Sequence, residues 1–196
     1  IIGMPGFHNA QNAAGAAALC CELRIPDDAI IRGLAEFAGV GRRFSDLGVL
    51  PWSEGGARLI DDYGHHPTEV AVTLEATRNA FAGQRVVMVY QPHRFTRTRD
   101  HFEAFATVLS EAPVLILLEV YAAGEDAIEG ADAGALAAAI RTRGMTDPIV
   151  VSDQRQLPAA LLDVLQGGDI LLMQGAGDIG RLAAELASSP TLEGLL

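Results

Sequence analysis

Lysine is absent from this 196-residue chain, whose 14 basic residues are all arginine. That excludes a phosphate loop of the G-x-x-x-x-G-K-[ST] kind, because the loop needs its lysine to reach the outer phosphates. Cysteine is nearly absent as well. Cys20 and Cys21 are adjacent in an alanine-rich stretch, which suits small buried hydrophobes rather than a disulfide or a metal site and agrees with a reducing cytoplasm. No run of about 18 apolar residues occurs, so no membrane span is expected. Positive charge is scarce relative to negative: the formal net charge is -11. Nucleic acid and anionic membrane surfaces are poor partners for such a chain, since binding there rests on neutralising phosphates with basic groups. The chain also lacks an initiating Met and a basic segment before an apolar stretch, so a signal peptide is not expected and the sequence reads as an excerpt of something longer.

What is present is ample material for one buried domain, with 49% apolar residues. Residues 9–23 are alanine-rich and helical in pattern, and Pro26-Asp27-Asp28 opens a second helix that ends near Gly39. After Gly41-Arg42-Arg43 the pattern changes to alternating strand and helix. Strands are expected at Phe44 to Leu50, Arg58 to Asp61, Val86 to Tyr90, Val114 to Leu118, Ile149 to Val151 and Ile170 to Met173. Helices are expected at 68–81, 98–110, 132–142, 155–166 and 178–187. Short apolar strands without polar alternation are buried on both faces, and helices between them imply crossovers and a mainly parallel sheet. The expected fold is therefore an α/β, Rossmann-like three-layer domain preceded by two helices, with a boundary near residues 41–43.

Polar residues follow each strand: Asp62 to His66, Gln91 to Arg94, Glu119 to Tyr121, Ser152-Asp153 and Gln174-Gly175. A parallel sheet gathers all of these on one edge, where open α/β sheets bind their ligands. Asp61-Asp62-Tyr63-Gly64-His65-His66-Pro67-Thr68-Glu69 is the densest in chemistry. Asp62 is a carboxylate at a strand end that can accept from a ribose hydroxyl, hold a metal-bound water or orient a histidine. His65 and His66 are adjacent, so at most one faces a ligand. Pro67-Thr68 starts a helix whose free amides would point at an anion. In Gln91 to Arg99, Arg94 and Arg97 are i,i+3 and suited to converge on one carboxylate or phosphate, with His93 beside them. Gly175-Ala176-Gly177-Asp178-Ile179-Gly180 matches G-x-G-x-x-G, but no second strand and acidic residue follow, so a close-packing or phosphate-approaching turn is expected. His8 and Asn12 share a helical face, with Asn9 as a helix cap and Asn12 able to pair with a purine edge.

Taken together, Pro5-Gly6-x-His8-Asn9-x-x-Asn12, Gly41-Arg42-Arg43-Phe44, the Asp61 to Glu69 segment, Gln91 to Arg99, Leu118-Glu119-Val120-Tyr121 and Gln174 to Gly177 resemble the Mur ligase family in the right order, from about Gly3 to Ala187. The likeness is strongest to the branch that joins L-alanine to UDP-N-acetylmuramate. The resemblance implies that 1–42 are the end of a central ATPase-like domain and 43–196 the C-terminal ligase domain. It further implies ATP and Mg2+ as cofactors, bound mainly by the part of the central domain that lies outside this sequence, an N-terminal domain outside this sequence that holds the UDP-sugar, and a cytoplasmic reaction through an acyl phosphate. His8, Asn9, Asn12, Arg43 and Asp62 would then serve the nucleotide, and Tyr63, His65, His93, Arg94 and Arg97 the acceptor. No metal ligand is assigned, and the fragment alone is expected to be inactive. Three other readings stand beside it: a murein-recycling ligase adding a tripeptide, a metal-dependent hydrolase using Asp61, Asp62, His65, His66 and His93, and a dinucleotide-binding module built on Gly175 to Gly180.

Overall fold

Val86–Tyr90 and Ile170–Gln174 are apolar except for Tyr90 and Gln174 at their ends, and every residue in both is buried. They lie side by side in parallel at the centre of a six-stranded sheet, in a computed structural model that describes residues 3–196. In chain order the elements are α1 (Phe7–Glu22), α2 (Asp27–Glu36), β1 (Ser45–Trp52), β2 (Gly55–Asp62), α3 (Pro67–Ala80), β3 (Val86–Tyr90), α4 (Phe95–Asp100), α5 (Phe102–Leu109), β4 (Val114–Leu118), α6 (Ala133–Arg141), β5 (Ile149–Val151), α7 (Leu157–Val164), β6 (Ile170–Gln174) and α8 (Ile179–Ser188).

The strand order is β1-β2-β6-β3-β4-β5. One face of the sheet packs on Val70 and Leu74 of α3, Phe105 and Leu109 of α5, and Leu136 and Ile140 of α6. The other packs on Leu157 and Leu161 of α7 and on Ile179, Ala183 and Leu186 of α8. The result is the three-layer α/β arrangement expected. Removing each such aliphatic side chain from water contributes about 1.5–3 kcal/mol, offset by the entropy of ordering the chain.

The sheet departs from the parallel expectation at one edge. β1 and β2 form an antiparallel hairpin closed at Ser53-Glu54, and β1 runs on through Pro51 to Trp52. Proline is tolerated there because β1 is an edge strand. A second departure is the helix expected at 98–110, which is two helices, α4 and α5, divided at His101 (φ -118°, ψ 21°).

The helix pair α1 and α2 stands apart. No residue of α1 is buried, and Phe7, Leu19, Leu23, Ile31 and Phe37 are all exposed. Asn9 is not the cap of α1; Gly6 is, with φ 100°, while the Asn9 amide turns back to donate to the Pro5 carbonyl at 2.6 Å. Among the described residues no helix is long and apolar enough to cross a membrane.

Insertion of β6 between β2 and β3 decides where a ligand can sit. The chain leaving β2 and β3 turns towards α3 and α5 on one face, whereas the chain leaving β6 turns towards α8 on the other. Neighbouring loops therefore diverge at the carboxyl ends of these strands, which opens a crevice.

Candidate functional site

Asp62 ends β2 inside that crevice and holds its floor. Its Oδ1 accepts from the Gly64 amide at 2.8 Å, the Gln174 side-chain amide at 2.7 Å and the Thr73 hydroxyl at 3.3 Å, and its Oδ2 accepts from the Phe44 amide at 2.9 Å. Only Oδ2 keeps clear accepting capacity for a further donor. Gly64 is required beside it, since a Cβ there would come within 2.3 Å of the Gln174 amide and 2.8 Å of Asp62 Oδ1. Asp61 faces Arg42, whose Nε donates to it at 3.1 Å while Nη2 donates to the Gly175 carbonyl at 2.6 Å. Burial pushes the Asp61 carboxyl above the usual range, and Arg42 opposes the shift.

The two arginines of Gly41-Arg42-Arg43 thus have different surroundings. Arg42 clamps β2 to the loop after β6, whereas Arg43 is half exposed, with only a 3.2 Å contact to Glu69 and an approach to the Tyr63 ring. Arg43 lines a cavity of about 880 Å3 together with His8, Asn9, Asn12 and Asp62. The five residues expected to serve a nucleotide therefore share one space between α1, α2 and α3.

The start of α3 differs from expectation. Its first turn is closed by its own side chains: Glu69 Oε2 accepts from the amides of His65 and His66 at 2.9 and 3.0 Å, and His66 Nδ1 accepts from the Thr68 amide at 3.3 Å. A capping box of this kind uses the donors that an incoming anion would need. Burial would raise the Glu69 carboxyl, but the two amides, His65 and Arg43 together hold it below its ordinary range.

The two histidines diverge. The His66 ring packs edge-on against His101 at 4.6 Å, while His65 faces Tyr63 at 5.3 Å and His93 at 6.0 Å. A second cavity, of about 450 Å3, is lined by Tyr63, His65, His93, Arg94 and Arg97. All five residues expected on the acceptor side meet there, contributed by the loops after β2 and β3 and by α4, with Ala176 from the loop after β6.

Hydrogen-bond partners give the two imidazoles opposite characters. His65 Nδ1 lies 3.1 Å from the Tyr63 carbonyl, which can only accept, so Nδ1 carries a proton and the lone pair of the neutral ring is on Nε2. Arg97 donates to His93 Nδ1 at 2.9 Å and to the His93 carbonyl at 3.1 Å, so the neutral His93 carries its proton on Nε2. Tyr121 stacks on the other side of His93 at 5.5 Å, 10° from parallel. Behind it, a Cβ on Gly177 would meet Tyr121 at 2.7 Å and Gln91 Oε1 at 2.5 Å. The glycine-rich turn thus serves close packing of protein on protein.

Burial, followed by the nearby charges of Arg97, His65 and Arg94, lowers the His93 pKa below its ordinary 6.5. The unfolded chain takes up that proton first on acidification. His93 therefore contributes stability above about pH 6.5 that is lost as the pH falls through its folded value. Imidazole NMR of this chain is expected to show a midpoint for His93 below 6.5, moving upward in Arg97→Met. A wild-type midpoint at or above 6.5 would contradict the geometry.

Arg94 and Arg97 line the same cavity, but not as successive turns of one helix. Arg94 precedes α4 in a positive-φ conformation (φ 72°, ψ 134°), fixed by its amide donating to the Tyr121 carbonyl at 2.9 Å. Sequence reasoning missed Thr96, Asp100 and His101, which also line this cavity, and Glu125, which bonds Thr96 from the loop after β4. Thr96, Asp100 and His101 lie within or beside the arginine-rich segment and were within reach of the argument. Glu125 carried no local signal.

Among the described residues no three His, Cys, Asp or Glu side chains converge in a way that fits a metal ion. The donor set assumed by a metal-dependent hydrolase is therefore not assembled, and no step is assigned to a metal held by this chain.

The fold is shared with known proteins. UDP-N-acetylmuramate-alanine ligase MurC from Thermotoga maritima superposes with a TM-score of 0.76 at 27% identity, covering 94% of this chain and 38% of that one. The murein peptide ligase Mpl from Psychrobacter arcticus gives 0.64 at 22%, covering 96% and 38%. A folylpolyglutamate synthase from Mycobacterium tuberculosis gives 0.64 at 15%, covering 97% and 42%; these last two share the fold alone. The chain thus spans well under half the length of each of these relatives. The family model described as "Mur ligase, glutamate ligase domain" matches residues 49–177, and the chain belongs to the Mur ligase family.

Proposed function

We propose that this chain is the C-terminal part of an ATP-dependent ligase of peptidoglycan synthesis that joins L-alanine to UDP-N-acetylmuramate. One observation carries the reading: Tyr63, His65, His93, Arg94 and Arg97 line a single small cavity at the carboxyl edge of the sheet. A small amino acid needs a cation for its carboxylate and a lone pair for its ammonium proton, and this cavity offers both. Arg94, half exposed, supplies the guanidinium fork, and His65 Nε2 supplies the lone pair. The Nε2 proton of His93 suits an oxygen of the activated acyl group. The larger cavity holding His8, Asn9, Asn12, Arg43 and Asp62 would take part of the nucleotide.

In this reading ATP transfers its terminal phosphoryl group to the lactyl carboxylate of UDP-N-acetylmuramate, giving an acyl phosphate and ADP. The L-alanine amine, having lost its proton towards His65, attacks the acyl carbon, and the C–O bond to phosphate breaks. Phosphoryl transfer depends on positioning and charge neutralisation, which other domains of the protein would supply together with Mg2+. The exposed apolar residues of α1 and α2 suit packing against such a domain. The substrates are cytoplasmic, and the protein is placed there with them.

The acceptor is tested by assaying the full-length protein with UDP-N-acetylmuramate, ATP and either L-alanine or the murein tripeptide. Amide formation with L-alanine is expected at a kcat/KM at least about a hundredfold above that for the tripeptide. Preference for the tripeptide would overturn the assignment in favour of the recycling ligase.

A further inference from the structure

Glu125 lies in the loop between β4 and α6, 29 residues beyond Thr96, yet it contacts two residues that line the acceptor cavity, Thr96 and Arg94. Its two oxygens are both committed to Thr96: Oε2 accepts from the backbone amide at 2.9 Å, and Oε1 accepts from the hydroxyl at 2.7 Å. Oε1 is also 3.5 Å from Nη1 of Arg94, whose side chain is 48% exposed and otherwise has no hydrogen-bond partner among the described residues. The carboxylate is thus anchored by Thr96, and the long Arg94 contact sets the guanidinium without consuming it. Arg97 is different, because its Nη1 is already engaged by both Nδ1 and the carbonyl of His93.

Fixing Arg94 needs more than its backbone. The residue adopts φ 72°, a conformation rare for a side-chain-bearing residue, held by the Tyr121 carbonyl on one side and by the Thr98 amide and hydroxyl on the other. These bonds aim the side chain at the cavity mouth but leave several rotatable bonds free. An arginine that must search for its ligand loses affinity to conformational entropy. A fixed carboxylate at one edge of the guanidinium removes that search and leaves the opposite edge open.

Resting on the acceptor reading above, we propose that Glu125 is the positioning residue for acceptor recognition, holding Arg94 so that its open edge takes the carboxylate of the incoming amino acid. Glu125 touches no reacting atom in this arrangement. Its loss is felt in acceptor binding, with the phosphoryl-transfer half of the reaction left alone.

Steady-state kinetics of the full-length ligase separates these roles through Glu125→Gln, Arg94→Gln and the double variant. Glutamine at 125 keeps an oxygen for one Thr96 donor and loses the charge facing Arg94. Glu125→Gln is expected to raise the L-alanine KM about fivefold, with kcat within about twofold and the ATP KM unchanged. Arg94→Gln is expected to raise the L-alanine KM about a hundredfold. In the Arg94→Gln background, Glu125→Gln is expected to add nothing, because the group it acts through is gone. Multiplying effects in the double variant, or a Glu125→Gln change confined to kcat, would overturn the positioning role while leaving the acceptor reading intact. An unchanged L-alanine KM in Arg94→Gln would overturn both. Thermal unfolding of each variant within a few degrees of wild type shows that the kinetic change is local, and a rise in KM that tracks unfolding instead counts against the proposal.

Discussion

Asp62→Ala is expected to destabilise this chain by about 3–5 kcal/mol, the scale of stranding several buried donors at once. The carboxylate is only 5% exposed, and its four donors come from four different places: the Phe44 amide before β1, the Gly64 amide after β2, the Thr73 hydroxyl on α3 and the Gln174 amide on β6. Truncation leaves those donors facing a hole too enclosed to wet freely, and the loops that carry Arg43, Tyr63 and His65 lose their common anchor. Asp62→Asn should cost less, about 1–3 kcal/mol, since one oxygen survives and the new amide faces a donor. Urea unfolding checks both, as a shift in midpoint with the slope preserved. A loss below about 1 kcal/mol for the alanine variant would show that water replaces the carboxylate and would contradict its burial. Any role of Asp62 towards a ribose must be read from the part of the signal that survives in conditions where the chain stays folded.

Arg97→Ala in the full-length protein is expected to lower kcat/KM for the acceptor by about a thousandfold, with the ATP KM little changed. The large effect follows from one side chain doing two things. Arg97 lines the acceptor cavity, and it donates to both Nδ1 and the carbonyl of His93, which fixes the ring and its tautomer. Removal frees His93 to turn away from Tyr121 and to take a proton on Nδ1. Arg97→Lys should recover part of the activity, because both contacts to His93 are made by the single nitrogen Nη1, a role open to an ammonium with three donors. A drop of less than tenfold in the alanine variant would mean that His93 is held by its stacking on Tyr121 alone.

The features legible in the sequence were those fixed by local chemistry. Val86 to Tyr90 and Ile170 to Met173 announce buried parallel strands, and the polar residues just past them mark the ligand edge by topology alone. The acceptor set could be named because its members lie in two short segments, each pinned to a strand end. What escaped notice depends on contacts distant in sequence or on backbone geometry without a composition signal. Pro51 reads as a breaker, yet β1 continues through it because its outer edge needs no partner. Arg94, Arg42 and Phe44 take positive φ with no glycine to announce it. The division at His101 carries neither glycine nor proline. The amides at the start of α3 invite an anion when read locally, but Glu69 folds back and takes them. Glu125 is an acidic loop residue like many others until the fold sets it against Thr96 and Arg94.

The glycine-rich turn makes the same point in the other direction. Gly175, Gly177 and Gly180 fit a phosphate-binding string, but the atoms that crowd a Cβ at those positions are the Gln91 carbonyl, the Tyr121 ring and the Arg42 guanidinium. Glycine is needed so that protein can approach protein, and the same absence of a side chain would serve a phosphate elsewhere. Spacing alone could not separate these uses, whereas the neighbours do.

The most direct test of the acceptor site is a crystal structure of the full-length protein with UDP-N-acetylmuramate, a non-hydrolysable ATP analogue and L-alanine. The alanine carboxylate is expected within hydrogen-bond distance of the Arg94 guanidinium and the amine beside His65 Nε2, with His93 turned towards the acyl group. Alanine bound away from the cavity formed by Tyr63, His65, His93, Arg94 and Arg97 would contradict that placement.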